Sequence, residues 1–214
     1  MSIFPVFIAF YVGFILVGIF MWNFLFLLIG FLCLFLSLLL YWWDLKFVSF
    51  HYESAFWLFI FSEVSVFGCL LVCCLYYDSF SFVSLSSPLE LPFLGCFVLL
   101  GSSITITAYH HLWFWGGSCY LLFYTVVLGF GFVMLQLLEF DEVSLSLLSS
   151  SFYGSSFCTV GLHFIHVLLG VVALFFIFVV GSVNAGMYRC TVVTWYWHFV
   201  DYVWLFVYTI VYVC

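Results

Sequence analysis

The residues from Ile3 to Trp43 form a long apolar run interrupted at Asn23. That run is about twice the ~20 residues a helix needs to cross the hydrocarbon core of a bilayer. It reads as two helices in a tight hairpin, roughly 3 to 20 and 24 to 43. Only helices and closed barrels satisfy their backbone polar groups in lipid, so a run of this kind commits the chain to an all-α membrane fold. Composition agrees, since 69% of the chain is hydrophobic and only 5% charged. A soluble globule carries about 25% charged residues. The formal charge of −7 comes from nine carboxylates against two basic residues, which excludes nucleic acid as a partner. The nine cysteines form no C-x-x-C pair and no Cys/His zinc spacing, and they read as small buried hydrophobes.

Five further spans follow the hairpin, making seven transmembrane helices. Trp42 and Trp43 close the second at an interface, ahead of Asp44 and Lys46. The third runs from about Ala55 to Tyr77. A polar turn leads to Pro92, which suits the first turn of a fourth helix ending near His110 and His111. The fifth covers Cys119 to about Glu139, the sixth Phe152 to Val180, and the seventh Trp195 to Val213. The turn at 44 to 54 sets a hairpin (1–43) apart from a five-helix bundle (55–214) within a single membrane domain, 1–214.

Lys46 and Arg189 fall on the same side of this seven-span arrangement, and the acidic pairs Asp78/Glu90 and Asp141/Glu142 fall on the other. The positive-inside rule then places the N-terminus inside and the C-terminus outside. Met1-Ser2 enters the first apolar run without a basic signal region or an Arg-rich amphipathic pattern. Insertion at the site of synthesis is therefore expected, and the Phe, Leu and Val excess fits a T-rich organelle gene.

The polar residues inside the spans are the candidate sites. A charged side chain at the middle of a span costs roughly 2.5 to 3.5 kcal/mol, so a partner or a function has to offset it. Glu63 falls about 9 Å into the third helix at 1.5 Å per residue, and reads either as a proton relay or as a hydrogen-bonded packing residue. His163 and His166 are one turn apart on the sixth helix. Two such imidazoles can reach one metal or haem iron, but without further ligands a satisfied polar network is the stronger reading. His198 and Asp201 repeat the spacing in the seventh, where Asp201 can accept from His198 and fix its tautomer. Gln136 and Glu139 at a helix end read as an interfacial polar patch. His110 and His111 cannot share one helix face, so at least one points to headgroups or a neighbour. Gly101-Ser102-Ser103 with Thr105 and Thr107, Gly129 and Gly131, and Gly154-Ser155-Ser156 with Gly161 mark close helix packing.

Trp195-Tyr196-Trp197-His198-Phe199-Val200-Asp201, together with Ser62-Glu63-Val64, Glu90-Leu91-Pro92, Thr105 to His111, Leu135-Gln136-x-x-Glu139-Phe140, Tyr153-Gly154-Ser155 and Gly161-x-His163-x-x-His166-Val167, resembles cytochrome c oxidase subunit III in order and spacing. The resemblance implies seven helices, the first two splayed from the other five around a cleft that holds phospholipid. It implies a core subunit of complex IV of the respiratory chain, multi-pass in the mitochondrial inner membrane, with the N-terminus on the matrix side and the C-terminus in the intermembrane space. Its partners would be oxidase subunits I and II and accessory subunits. The complex moves electrons from cytochrome c to O2 and translocates protons, with haem and copper in partner subunits. Subunit III has no catalytic residue, metal or redox centre of its own. It stabilises subunit I, supports proton uptake and offers O2 a route through its cleft. Glu63 matches the family's buried acidic position.

Two departures stand out. Asp44 follows the paired Trp where the family has a basic residue, and Thr191 stands where it has a Glu. Headgroup contacts are then left to Lys46, His51 and Arg189. Two other classes compete with the subunit reading: a haem-carrying membrane cytochrome using His163, His166 or His198, and an autonomous proton-coupled transporter using Glu63 and Asp201.

Overall fold

The computed structural model describes residues 4–45, 53–78, 85–113, 118–143 and 149–213, and everything below refers to these. Lys46 and His51 lie outside them. All the described secondary structure is helical. The chain divides into two compact units, Met1–His51 and Tyr52–Cys214.

The first unit is the hairpin of α1 (Phe4–Phe20) and α2 (Phe24–Leu45). Asn23 makes the turn in two ways. Its backbone N–H bonds Gly18 O at 3.0 Å, and its side-chain oxygen accepts from Leu25 N at 3.1 Å. Trp22 takes a positive φ of 50° to close the bend. The helices approach closely through glycine: a Cβ on Gly30 would stand 2.6 Å from Ile15, and one on Gly18 3.0 Å from Leu27.

The second unit holds α3 (Glu53–Tyr77), α4 (Leu91–His111), α5 (Ser118–Glu142), α6 (Ser151–Val180), the single turn α7 (Ser182–Ala185) and α8 (Met187–Val207), which runs on as a π-helical stretch, Tyr208–Val213. α4 packs along α5, α5 and α3 against α6, and α8 against α4 and α6. Pro92 occupies the first turn of α4, as its spacing predicts. Ser150 caps α6 by accepting from Tyr153 N at 3.2 Å.

Two helix starts differ from the sequence expectation. α3 begins at Glu53, two residues before the expected start, and Glu63 lies ten residues in, about 15 Å deep at 1.5 Å per residue; counted from Ala55 the depth is about 12 Å, so the expected ~9 Å is short on either start. The last helix begins at Met187, eight residues before Trp195, because its break is the positive-φ pair Gly181 (84°) and Gly186 (82°) and not the polar stretch after them. Thr191 and Thr194 return their hydroxyls to Met187 O and Cys190 O, so these polar residues fit a helix. His198 and Asp201 therefore sit in the middle of α8, not in its first turns.

α3, α4, α5 and α6 are long and apolar enough to cross a membrane, and α1 and α2 contribute the shorter apolar stretches Val6–Phe20 and Phe24–Leu40. Their uncovered faces carry large apolar side chains, such as Phe93, Phe97 and Ile104 on α4 and Leu169, Phe175 and Phe176 on α6. A surface of this kind needs hydrocarbon against it. α8, with Arg189, His198 and Asp201, is the most polar of the long helices.

Trp197 is the centre of the bundle. It is fully buried, and its indole N–H donates to Ser102 Oγ on α4 at 2.9 Å. The ring fills the space left by two glycines, since a Cβ on Gly129 (α5) or Gly170 (α6) would come within 2.7 Å or 2.8 Å of it. Gly129→Ala and Gly170→Ala should each destabilise the folded chain by about 1–3 kcal/mol through overpacking. Gly131→Ala, with nothing within 4 Å of the new carbon, should stay within about 0.5 kcal/mol. Thermal unfolding of the variants in detergent, read by near-UV circular dichroism, distinguishes the two groups.

Candidate functional site

The buried residues of α3 are Phe67 and Cys74, and the half-buried Glu63 lies one turn before Phe67 on the same face. That face brings Glu63 to α6, where Glu63 Oε2 lies 3.2 Å from His166 Nε2. The other nitrogen, Nδ1, meets the Tyr196 hydroxyl of α8 at 2.8 Å, and that hydroxyl also stands 3.2 Å from the His166 backbone carbonyl. The Phe67 ring packs on the imidazole with centroids 5.4 Å apart. One carboxyl, one imidazole and one phenol thus join three helices. The Tyr196 O–H donates to the His166 carbonyl and therefore accepts from Nδ1–H, so Nε2 either is bare and takes a hydrogen from Glu63 or is protonated and gives one to it.

An apolar groove of about 260 Å³ runs between α3 and α8 next to this contact. Val64, Phe67, Gly68, Leu71, Phe199 and Val203 line it.

His163 does not join the Glu63 cluster. It is fully buried one turn earlier on α6, and its Nε2 faces Val200 O of α8 at 3.2 Å. Its ring lies between Phe132 and Trp204, at 5.6 Å and 4.9 Å, and Nδ1 has no hydrogen-bond partner. Among the described residues no three or more His, Cys, Asp or Glu side chains come together as metal ligands.

The expected His198–Asp201 hydrogen bond does not form, so the four-residue polar network separates into parts. His198 turns to α4 instead: Nδ1 meets Ser103 Oγ at 2.9 Å and Nε2 meets Thr107 Oγ1 at 3.2 Å. Asp201 is 2% exposed, with neither oxygen in a hydrogen bond. The reason is positional. Ser103 and Thr107 lie one turn apart on the α4 face that meets α8, so the imidazole spans both hydroxyls and has no nitrogen left for its own helix.

Gln136 and Glu139 form a buried pair, not an interfacial patch. At 2% and 3% exposure they are covered by the bundle. Gln136 Nε2 donates to Glu139 Oε2 at 2.7 Å, and Ser86, from the segment before α4, donates to Oε1 at 2.9 Å. The Tyr212 hydroxyl stands beside them without meeting hydrogen-bond geometry. His110 Nε2 meets Thr191 Oγ1 at 3.1 Å, while His111 is exposed. Arg189 is exposed near the start of α8.

Sequence reasoning missed Tyr196 and Ser86, and read Ser103 and Thr107 only as packing residues. A usable signal exists for α4: Ser103, Thr107 and His110 fall at i, i+4 and i+7, a polar stripe along one face of the helix.

Fold and site together define a polytopic α-helical membrane protein whose interior polar groups tie helices to one another. Comparison with known proteins carries this further. The family model described as cytochrome c oxidase subunit III matches residues 46–214. Proteins named cytochrome c oxidase subunit 3 are similar over part of their length. That of Loxodonta africana is 38% identical over 134 residues, covering 59% of this chain and 51% of that protein. Those of Gallus gallus and Locusta migratoria are each 35% identical over 133 residues, with the same coverage of both chains. The chain spans about half the length of the curated relatives it matches. It belongs to the cytochrome c oxidase subunit III family, on the strength of α3 to α8; α1 and α2 precede the matched residues.

The Glu63–His166–Tyr196 contact makes a stability forecast. Tyr196→Phe leaves Nδ1 of His166 buried and unpaired, and should cost about 1–3 kcal/mol. Combined with Glu63→Gln, the loss should depart from additivity by about 0.5–3 kcal/mol, because both partners act through one imidazole. Tyr202→Phe, at a position 59% exposed, should be additive with Glu63→Gln. A double-mutant cycle on unfolding midpoints in detergent measures both couplings.

Proposed function

We propose that this chain is a non-catalytic core subunit of a cytochrome c oxidase in the mitochondrial inner membrane, with its N-terminus on the matrix side and its C-terminus in the intermembrane space. The family match over residues 46–214 carries the reading. The site supports it, since the paired polar groups of the bundle spend their hydrogen bonds on neighbouring helices. In this reading haem and copper belong to partner chains, the counterparts of subunits I and II. Electron transfer from cytochrome c to O2 takes place there, and this chain contributes by stabilising the catalytic subunit and supporting proton translocation.

Phospholipid is the proposed ligand. The groove between α3 and α8 is apolar throughout and has the width Gly68 leaves, which suits an acyl chain. Exposed Arg189 is the described basic candidate for a headgroup; Lys46 and His51 complete the set. O2, being apolar, can use the same lipid-filled route towards partner chains.

Isolation in mild detergent tests the assignment. The chain should migrate with much larger chains that carry haem and copper. Migration alone or as a homo-oligomer would favour a transporter, and a reduced-minus-oxidised haem band on the separated chain would favour a cytochrome. Within the isolated complex, Glu63→Gln should leave initial turnover near the parent value, because the carboxyl is engaged with His166 of its own chain. An immediate loss of turnover would give Glu63 a direct part in the reaction.

A further inference from the structure

Four buried side chains have polar atoms without a hydrogen bond: His163 Nδ1, both Asp201 oxygens, Trp204 Nε1 and Tyr212 OH. Asp201 is the acidic one. An ionised carboxylate taken out of water without a donor or a cation costs several kcal/mol. No basic residue is available to it among the described residues, since Arg189 is exposed twelve positions earlier on the same helix. His163 of α6 is turned to Val200 O, and Glu63 and His166 are paired with each other.

Donor counting fixes the protons around it. Thr107 Oγ1 donates to Ser103 O at 2.8 Å, so towards His198 it can only accept. His198 Nε2 therefore carries a hydrogen, and in a neutral ring Nδ1 is bare. Nδ1 accepts from Ser103 O–H at 2.9 Å. Ser103 has then given away its one hydrogen and can only accept from its neighbour, the Asp201 carboxyl. Asp201 can make a hydrogen bond there only by supplying the hydrogen itself.

We propose that Asp201 is a buried proton-binding site, occupied as the neutral acid, and that Ser103 and His198 are the relay that fills and empties it. The transfer balances without a co-reactant. A proton reaching Nδ1 of His198 by way of its ring passes to Ser103 Oγ as the Ser103 hydrogen passes to the Asp201 carboxylate. In reverse, the acid returns a proton to Ser103 and Ser103 gives its own to Nδ1. The polar stripe of α4 leads onward from Thr107 to His110, which is bonded to Thr191. Exposed His111 lies beside His110 at that end of the bundle, with ring centroids 6.1 Å apart. This role rests on the α4–α8 contact alone, independently of the subunit assignment.

Infrared spectroscopy tests it on the full chain in the membranes of cells that make it, with whatever subunits it retains. A protonated-carboxyl band should be present, shift in D2O, and vanish in Asp201→Asn. In Ser103→Ala the band should move to higher frequency, having lost its acceptor. Its H/D exchange should slow by about tenfold or more, the factor for one relay step raised by about 1.4 kcal/mol. His198→Phe should slow exchange comparably with less effect on the frequency. If Asp201→Asn does not accumulate, the shift and slowing in Ser103→Ala carry the test. A carboxyl spectrum unchanged in Asp201→Asn overturns the neutral acid, and unchanged exchange in both Ser103→Ala and His198→Phe overturns the relay.

Discussion

The seat of the Trp197 indole against Gly129 and Gly170, with its N–H on Ser102, is the contact on which the rest of the bundle depends. In lipid there is little hydrophobic gain in bringing two apolar helices together, because the tails they displace are equally apolar. What remains is close packing and hydrogen bonding. One side chain here provides both, touching α5, α6 and α4 from α8. It fixes the rotation of α8 about its axis, and with that the direction in which every other α8 side chain points.

Rotation matters because neighbouring residues on α8 serve different neighbours. Tyr196 and His198 lie two positions apart, about 200° around the helix at 3.6 residues per turn. Tyr196 reaches α6 and joins the Glu63–His166 contact, while His198 reaches Ser103 and Thr107 of α4. Trp197 lies between them in sequence and holds both in place. A rotation of α8 by a fraction of a turn would unpair both clusters in a medium with no water to take over.

Much of the fold was legible because its punctuation is local. Asn23 and Pro92 each act through their own backbone, and apolar length alone marks the helices. The start of α8 was misread because Arg189, Thr191 and Thr194 resemble a loop by polarity, although nothing in Met187 to Thr194 prevents a helix. The site was less legible because its partners are distant in sequence. Glu63 and His166 stand out as polar residues in apolar helices, but no spacing rule says which of two histidines a turn apart will face α3. Glu139 looked interfacial because helix ends are usually wet, and its burial depends on Ser86 folding over it from another segment.

The unpaired polar atoms are not scattered. Asp201, Trp204 and Tyr212 all come from the last helical segment, and His163, the remaining one, packs its ring on Trp204 and bonds the α8 backbone at Val200. Each such atom costs about 1–3 kcal/mol when nothing satisfies it. A helix packed for stability alone would carry apolar residues of similar volume at these places. The Glu63–His166–Tyr196 contact, by contrast, is fully paired and reads as a tie between helices. The two acidic sites of the bundle interior that look alike in sequence therefore differ physically. Glu63 is partly exposed and has its hydrogen-bond partner in place, whereas Asp201 is covered and has none, so a chemical role belongs on the α4 side of α8.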